Sequence, residues 1–334
     1  MGYARLNLLS KMNEKQLKKY ITKKYSINTI VKVSKPNSQN INSENYYILT
    51  PKGKFVFHKI QDNSKKIESM CKVLTFCVKK NIKVQEPIKT IENKFSGKNS
   101  TFLTKYYEGG IFKGNSIQIK NISRNLAELH LALKKCKISY NYMPNQKFYK
   151  ILSEYQLKSI KNKIRKKNKL DIYDILVQKN FKILNSQFLS YTDISSTKLK
   201  KQLIHADLHP ENVIFLKNNV NAIIDFISMK KGNVMEDISF SSFRFAIYKT
   251  TNLAKIADLM HLFITNYLKI NNIELSELKN IKLFLNKKIL ERISFLLNKH
   301  YFYDSNLWIM DLKKYITFLK IINSKNFSLN KIYN

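Results

Sequence analysis

Three side chains between Leu203 and Asp225 have the types and the spacing that phosphoryl transfer requires. Asp207 is followed five residues later by Asn212, and Asp225 ends the next apolar run. A carboxylate can orient an acceptor hydroxyl and take its proton, while an amide oxygen and a second carboxylate can hold Mg²⁺ beside nucleotide phosphates. The interval matches a catalytic-loop pattern of phosphoryl-transfer enzymes, with Ala206 where an Arg usually stands. We therefore predict Asp207 as the catalytic base and Asn212 and Asp225 as metal ligands.

Two short apolar runs accompany these residues. Residues 213–215 (VIF) and 222–224 (AII) are separated by an interval that contains Lys-Asn-Asn at 217–219. Short apolar runs on either side of a turn-forming interval are typical of two strands joined by a turn. The sequence therefore predicts a hairpin between Asn212 and Asp225.

The segments HADLHPENVIF and AIIDF resemble the aminoglycoside phosphotransferase-like superfamily, which also includes choline and ethanolamine kinases, bacterial homoserine kinase and N-acetylhexosamine kinases. In that superfamily the first segment is H-x-D-x-x-x-x-N and the second ends in I-D-F or I-D-W. The resemblance implies a two-lobed, protein-kinase-like fold of the α+β class. Its small N-terminal lobe would contain an antiparallel sheet, and its larger C-terminal lobe would be mainly helical.

The length of the chain agrees with two lobes. At 334 residues it exceeds the size at which a single hydrophobic core usually stops growing. We predict a nucleotide-binding lobe at residues 1–105 and a catalytic and acceptor-binding lobe at residues 106–334. A hydrophobic content of 44% is sufficient for both cores.

The resemblance implies nucleotide contacts in the N-terminal lobe. The segment FVFHKIQDN is similar to the Y-V-L-Q-R-I-N pattern of N-acetylhexosamine kinases, which makes Lys59 the candidate phosphate-binding lysine, with His58 and Lys54 as alternatives. Glu68, on a predicted helix over residues 64–80, is the candidate partner of that lysine. The backbone just before Gly109-Gly110 is expected to meet the adenine, and this segment comprises Lys105, Tyr106 and Tyr107.

The implied cofactors are ATP and Mg²⁺, with GTP as a possible alternative to ATP. The loop at residues 35–44, which is expected to cover the phosphates, contains no Gly. A Gly-rich loop works by letting backbone amides approach phosphate closely. The affinity for the nucleotide and its identity are therefore open at this stage.

Two further residues are expected to support the catalytic loop and not to take part in the chemistry. By resemblance, His205 holds the loop backbone, and Asp237 is a buried carboxylate that accepts hydrogen bonds from the loop amides. The alternative for Asp237 is a favourable interaction with the N-terminus of a helix. His130 lies in a helical pattern over residues 122–132 and is interpreted as a buried packing residue.

The net charge of +37 raises the alternative of nucleic-acid or anionic-lipid binding. Of 60 basic residues only five are Arg, whereas Arg is the side chain suited to bidentate phosphate and base contacts. We therefore expect no specific nucleic acid, although the cluster KSIKNKIRKKNK at 158–169 keeps RNA or lipid binding as a hypothesis. The Cys at 71, 77 and 136 predict buried thiols in a reducing compartment.

No run of residues approaches the length of a membrane span, and we predict a cytoplasmic enzyme. The predicted function is ATP-dependent transfer of the γ-phosphoryl group to a hydroxyl of a small metabolite. A sugar, an amino sugar or a homoserine-like amino alcohol is the favoured acceptor. The alternative is a kinase-fold pseudoenzyme or binding protein that does not transfer phosphate. The sequence leaves the oligomeric state undetermined.

Overall fold

The computed structural model describes residues 13–36, 43–60, 62–97, 100–140, 150–191, 199–303 and 309–330. Its architecture confirms the predicted α+β, two-lobed fold, with an antiparallel sheet in the N-terminal part and helices in the C-terminal part. The strands are β1 (Lys32–Ser34), β2 (Ser43–Thr50), β3 (Gly53–Ile60), β4 (Pro87–Ile88), β5 (Thr101–Lys105), β6 (Gln202–Ile204), β7 (Val213–Leu216), β8 (Asn219–Ile223) and β9 (Lys230–Gly232).

Helices account for most of the remaining described chain. They are α1 (Glu14–Lys24), α2 (Ser64–Lys79), α3 (Ser116–Lys135), α4 (Glu154–Arg165), α5 (Ile172–Leu189), α6 (Val234–Ala246), α7 (Leu253–Leu268), α8 (Leu275–Leu278), α9 (Ile281–Tyr303) and α10 (Ile309–Ile322). No helix in the described ranges is long and apolar enough to cross a membrane.

The N-terminal sheet is covered by a helix on each face. Its strands run antiparallel in the order β1-β2-β3-β5-β4. Phe57 of β3 belongs to a small core with Leu17 and Ile21 of α1. Phe102 of β5 belongs to the main core together with Ile67 of α2. Because successive strand residues point to opposite faces, the alternation along β3 assigns each side chain to the α1 face or to the α2 face.

The second half of the chain is organised around β7 and β8, which form the predicted hairpin. Val213 pairs with Ile223, so the first residue of β7 lies beside the last residue of β8. The N–H of Ile224 donates to the carbonyl of Asn212 at 2.9 Å and extends the pairing by one step. The antiparallel register therefore brings Asn212 and Asp225 to the same end of the hairpin, although they are 13 positions apart in sequence.

Two backbone connections join this hairpin to the N-terminal sheet lobe. Val84, just before β4, forms a parallel bridge with Ile223. Gly110, just after β5, forms an antiparallel bridge with Phe215, in which each N–H donates to the other carbonyl at 2.9 Å. The strand β5 ends at Lys105, and the lobe boundary at residue 105 stays a prediction.

The helices of the C-terminal lobe pack in one continuous core. Helix α3 packs on α7, α6 packs between α7 and α9, and α9 packs on α10. Two of the three predicted thiols, Cys71 and Cys77 on α2, are fully buried, and burial raises the pKa of Cys77 to about 12.

Substitution of Gly109 by Ala should destabilise the connection between the lobes. Gly109 has φ +143°, and a Cβ atom there would collide with the carbonyl oxygen of Phe215 and with the Ile214 side chain. Strain of this kind costs about 1–3 kcal/mol. We expect Gly109→Ala to lower the free energy of unfolding by that amount in urea titrations. The control is Gly110→Ala, because a Cβ at Gly110 meets no atom within 4 Å. Equal effects of the two substitutions would contradict this account.

Candidate active site

The carboxylate of Asp237 fixes the backbone of the catalytic loop. It lies in the first turn of α6 with 1% of its surface exposed. Its Oδ2 accepts from the N–H of His205 at 2.8 Å, and its Oδ1 accepts from the N–H of Ala206 at 2.7 Å. His130 Nε2 donates to Oδ2 at 3.1 Å, since an ionised carboxylate can only accept. Burial alone would raise the pKa of Asp237, but these donors and the imidazoles outweigh it and lower the pKa.

His205 ties the loop to the residue before Asp225. Its Nε2 is 3.0 Å from the carbonyl of Ile224, and its Nδ1 is 3.3 Å from the N–H of Asp207. A carbonyl requires a donor and an N–H requires an acceptor, so the proton must reside on Nε2. Burial lowers the pKa of His205, which agrees with a neutral ring. The imidazole therefore fixes the distance between the two parts of the site.

The backbone on both sides of the site adopts left-handed conformations. Ala206 has φ 66° and Asp225 has φ 61°. Such conformations are strained for residues other than Gly and concentrate at functional sites. Every polar backbone group of Ala206 is held, because its N–H donates to Asp237 and its carbonyl accepts from Lys288 Nζ at 2.5 Å.

The predicted base, Asp207, faces a cationic helix. Arg292 Nη2 of α9 lies 2.8 Å from Asp207 Oδ1, and Lys288 lies one turn earlier on the same helix. Burial would raise the pKa of Asp207, but the charges of Arg292, Lys288 and His209 outweigh it and lower the pKa. Asp207 is therefore ionised over the whole physiological range.

The predicted metal ligands converge as their spacing in sequence suggested. Asn212 donates its Nδ2–H to the carbonyl of Asp207 at 3.0 Å, which leaves its amide oxygen for a cation. Asp225 is held by its N–H, which donates to Gln85 Oε1 at 3.0 Å. Burial and the negative charge of Asp207 raise the pKa of Asp225. A carboxylate and an amide oxygen are hard donors that suit Mg²⁺, and a cation would offset the repulsion from Asp207 that contributes to this raised pKa.

The three candidates for the phosphate-binding side chain occupy different environments. Alternation along β3 places Lys59 on the face of Phe57, which α1 covers, and Lys59 is buried. His58 lies on the α2 face, where its ring stacks on Phe102 with 4.4 Å between centroids. Its Nδ1 and Nε2 contact Asn45 and Thr104, and burial lowers its pKa to about 3.

The third candidate, Lys54, is exposed, and its Nζ lies 2.6 Å from Glu108 Oε1. Which of these groups meets phosphate stays a prediction.

Glu68 has a backbone role in this structure. Its Oε2 accepts from the N–H groups of Phe95 and Ser96 at 2.8 and 2.9 Å. Its Oε1 lies 3.7 Å from Lys72 Nζ. These contacts anchor the segment after β4 to helix α2, and the pairing of Glu68 with Lys59 stays a prediction.

Most backbone N–H groups of the segment predicted to meet the adenine, residues 105–107, already donate hydrogen bonds within the protein. The N–H groups of Lys105 and Tyr106 donate to the carbonyls of Glu86 and Lys54, at 2.9 and 3.0 Å. Tyr107 donates its hydroxyl to the carbonyl of Val84 at 3.1 Å, whereas its backbone N–H makes no hydrogen bond within the described ranges. Of the three predicted residues, Tyr107 is therefore the one whose N–H stays open in the described ranges, and its contact with a nucleotide base stays a prediction. The Gly-free loop expected over the phosphates lies largely outside the described residues.

This geometry agrees with comparisons to known proteins. A model of the phosphotransferase enzyme family matches residues 33–256, which is more than half of the chain. The chain belongs to this phosphotransferase family. This confirms the predicted superfamily and the predicted enzyme class, a small-molecule kinase with an alcohol group as acceptor. A search of curated proteins found no significant match.

Solved structures of the family share the fold at low sequence identity. An amicoumacin kinase, in complex with AMP-PNP, Ca²⁺ and its antibiotic, has a TM-score of 0.68 and 15% identity, covering 96% of this chain and 97% of its own. A spectinomycin phosphotransferase, in complex with ADP and spectinomycin, has a TM-score of 0.67 and 14% identity, covering 96% and 99%. An aminoglycoside 2'-phosphotransferase, in complex with GDP, has a TM-score of 0.58 and 16% identity, covering 95% and 100%.

Several residues of this phosphotransferase site were missed by sequence reasoning. Arg292 and Lys288 lie on α9, in the lobe that the sequence predicted only to be mainly helical. Arg244 Nη2 lies 3.2 Å from Glu211 Oε2, and Glu211 also contacts His209 Nδ1. His130 was expected to be buried packing, and it is fully buried, yet it also hydrogen-bonds Asp237. The available signal was the rarity of Arg, since two of only five Arg lie at this site.

Substitution of Asp237 by Asn should destabilise the protein by about 2–4 kcal/mol, because an amide cannot accept from all three donors around it. Urea titration at neutral pH measures this loss, with Glu128→Gln on the exposed face of α3 as the control.

The difference in the free energy of unfolding between wild type and Asp237→Asn should depend on pH. The folded-state pKa of Asp237 is lowered, so its stabilisation is complete above the ordinary Asp pKa of about 4 and disappears as the pH falls through the folded value. The difference between wild type and Asp237→Asn should therefore be constant near neutrality and shrink below roughly pH 4. A difference that grows in acid would refute this role.

Proposed function

We propose that this protein transfers the γ-phosphoryl group of ATP to a hydroxyl group of a small molecule, with Mg²⁺ as the required cation. The observation that carries the proposal is the convergence of Asp207, Asn212 and Asp225 at one end of the β7–β8 hairpin. A loop held by buried hydrogen bonds supports this arrangement. Membership of the phosphotransferase family gives the proposal independent support.

Each residue has a distinct proposed role. Asp207 orients the acceptor hydroxyl and receives its proton as the hydroxyl attacks phosphorus. Asn212 and Asp225 would hold the magnesium ion, which neutralises charge on the phosphates. His205 and Asp237 keep the loop in its strained conformation and do not touch the reacting atoms.

The nucleotide would bind in part through the N–H of Tyr107, which would donate to the base. ATP is the favoured nucleotide, although a structural neighbour in complex with GDP keeps GTP as an alternative.

The acceptor is a small hydroxyl compound. Sugars, amino sugars and homoserine-like amino alcohols remain our proposed classes, and the antibiotics bound by the structural neighbours are the competing class. The positive groups beside Asp207 count against polycationic acceptors, since Arg292 and Lys288 would repel them at short range. A kinase-fold protein without phosphoryl transfer is the second candidate. The strained backbone of Ala206 does not indicate a defective catalytic loop, because the N–H and the carbonyl of Ala206 are both hydrogen-bonded.

Removal of the two carboxylates should separate chemistry from nucleotide binding. We expect Asp207→Asn to bind Mg·ATP normally and to lower turnover by about 10²- to 10⁴-fold, the usual contribution of a general base. Asp225→Asn should instead weaken Mg-dependent nucleotide binding. ADP release and calorimetric titration with Mg·AMP-PNP measure the two effects, and Glu128→Gln is the control. Unchanged turnover in Asp207→Asn would exclude Asp207 as the base.

A second comparison should identify the group that meets the phosphates. If Lys59 has this role, Lys59→Met should raise the KM for ATP by at least about tenfold, which corresponds to about 1.4 kcal/mol. His58→Gln should then have a smaller effect, and Lys54→Met, whose side chain is exposed, should have none. Each KM is measured with the same acceptor at saturation. A larger effect for His58→Gln would transfer the assignment to the α2 face of the sheet.

A further inference from the structure

Helix α9 presents two cations to the catalytic loop from the side of the helical lobe. Lys288 and Arg292 are four residues apart, so they lie on the same face of the helix. Lys288 Nζ reaches the carbonyl of Ala206 at 2.5 Å, and Arg292 Nη2 reaches Asp207 Oδ1 at 2.8 Å. Together they line the side of Asp207 that faces α6 and α9.

The charges on this side of the site are not balanced. Arg292 is paired with Asp207, and Arg244 is paired with Glu211. Lys288 has no carboxylate oxygen within 4 Å among the described residues. It contacts a neutral carbonyl and the ring of Phe240, 5.3 Å from Nζ to the centroid. One ammonium N–H is used by the carbonyl, which leaves two further donors for a ligand.

The environment of Lys288 disfavours an isolated charge. Burial and the neighbouring Arg292 lower its pKa to about 8, although Asp207 acts in the opposite direction. An anion placed beside Lys288 and Arg292 would stabilise the charged form of both side chains. Such an anion would also draw Arg292 away from Asp207. The Asp207 carboxylate would then accept the proton of the acceptor hydroxyl more readily, because Arg292 would no longer compete for it.

The position of this pair favours the acceptor over the nucleotide as the source of the anion. Asp225, the proposed metal ligand, is held by Gln85 at the edge of the sheet lobe. Lys288 and Arg292 approach Asp207 instead from α9, which packs on α6 and α10. An acceptor that reached Asp207 from this side and took over its contact with Arg292 would leave the proposed metal ligands in place.

We propose that Arg292 and Lys288 bind a carboxylate of the acceptor, so that the substrate is a hydroxylated carboxylic acid and not a polycation. This inference rests on the proposed phosphotransferase function and deepens it. The planar guanidinium of Arg292 suits a carboxylate, since the two groups can form parallel hydrogen bonds. Lys288 supplies the second positive charge.

The low number of arginines makes the site directly observable. The chain contains five, at positions 5, 124, 165, 244 and 292. Protein labelled with ¹⁵N-arginine therefore gives five side-chain Nε–Hε signals at most, and Arg292→Lys identifies that of Arg292. The labelled protein, with Mg·AMP-PNP present, is titrated with paired probes, of which one carries a carboxylate and the other does not. The pairs are L-homoserine with 2-amino-1,4-butanediol, D-glucuronate with D-glucose, and N-acetylmuramic acid with N-acetylglucosamine.

We expect at least one carboxylate probe to shift the Arg292 signal while its counterpart without the carboxylate leaves the signal in place. The Arg124 signal is the internal control. If no carboxylate shifts the signal, or if the counterparts without a carboxylate shift it equally, the inference is wrong. If Mg·AMP-PNP alone produces the whole shift, the anion is the γ-phosphoryl group and the acceptor assignment is also wrong.

Kinetics gives a second, independent measurement. For the responding pair, Arg292→Gln should reduce the preference in kcat/KM for the carboxylate by at least about tenfold, and Arg292→Lys should restore part of it. The exposed Lys282→Ala, on the same helix, is the matched control for loss of charge. An unchanged preference in Arg292→Gln overturns the inference. Failure of the proposed function is distinguishable, because it would appear as absent Mg·AMP-PNP binding or as turnover unaffected by Asp207→Asn.

Discussion

The site depends on one buried negative charge, the carboxylate of Asp237. An isolated carboxylate would be too costly to bury, and three donors offset that cost: the N–H groups of His205 and Ala206 and the imidazole of His130. These donors belong to the loop after β6 and to helix α3, while Asp237 itself begins α6. His130 also contacts the hydroxyl of Tyr267 on α7, at 2.8 Å. One charge therefore fixes the relative positions of the catalytic loop and three helices.

Rigidity around that charge explains how a strained backbone persists at the site. Ala206 and Asp225 both have positive φ. Ala206 directly precedes the proposed base, Asp207, and Asp225 is itself a proposed metal ligand. The strain is sustained because hydrogen bonds hold the backbone groups of Ala206 and both nitrogens of the His205 ring. The loop thus presents Asp207 in one fixed orientation, and the antiparallel register of β7 and β8 presents Asn212 and Asp225 at the same end. Preorganisation of this kind lowers the reorganisation that the reaction would otherwise require.

The sequence predicted those parts of the site that are close together in the chain. Asp207, Asn212 and Asp225 lie within one loop and one hairpin, so spacing alone indicates that they converge. Arg292 is 85 residues from Asp207, and it lies within a long apolar helix pattern where a single cation carries no periodic signal. Only the preference of this chain for Lys could have indicated it, because an Arg in such a chain is unusual. The assignment of Lys59 is limited for a different reason: α1 and α2 bury both faces of the sheet, so alternating hydrophobicity cannot tell which face meets the nucleotide.

The overall charge of the chain has little bearing on the chemistry, whereas the local arrangement of charge does. Most of the +37 comes from Lys residues spread along the chain, and long-range fields from exposed charges are screened over about 10 Å at moderate salt. At Asp207 the distances are shorter and the side chain is only partly exposed, so Arg292 and Lys288 act directly on the pKa of the proposed base. In the proposed reaction, the acceptor would enter a site whose base is already paired with a cation. A neutral hydroxyl could offer Arg292 nothing in exchange, while a carboxylate could, and this difference would make the charge of the acceptor a determinant of specificity.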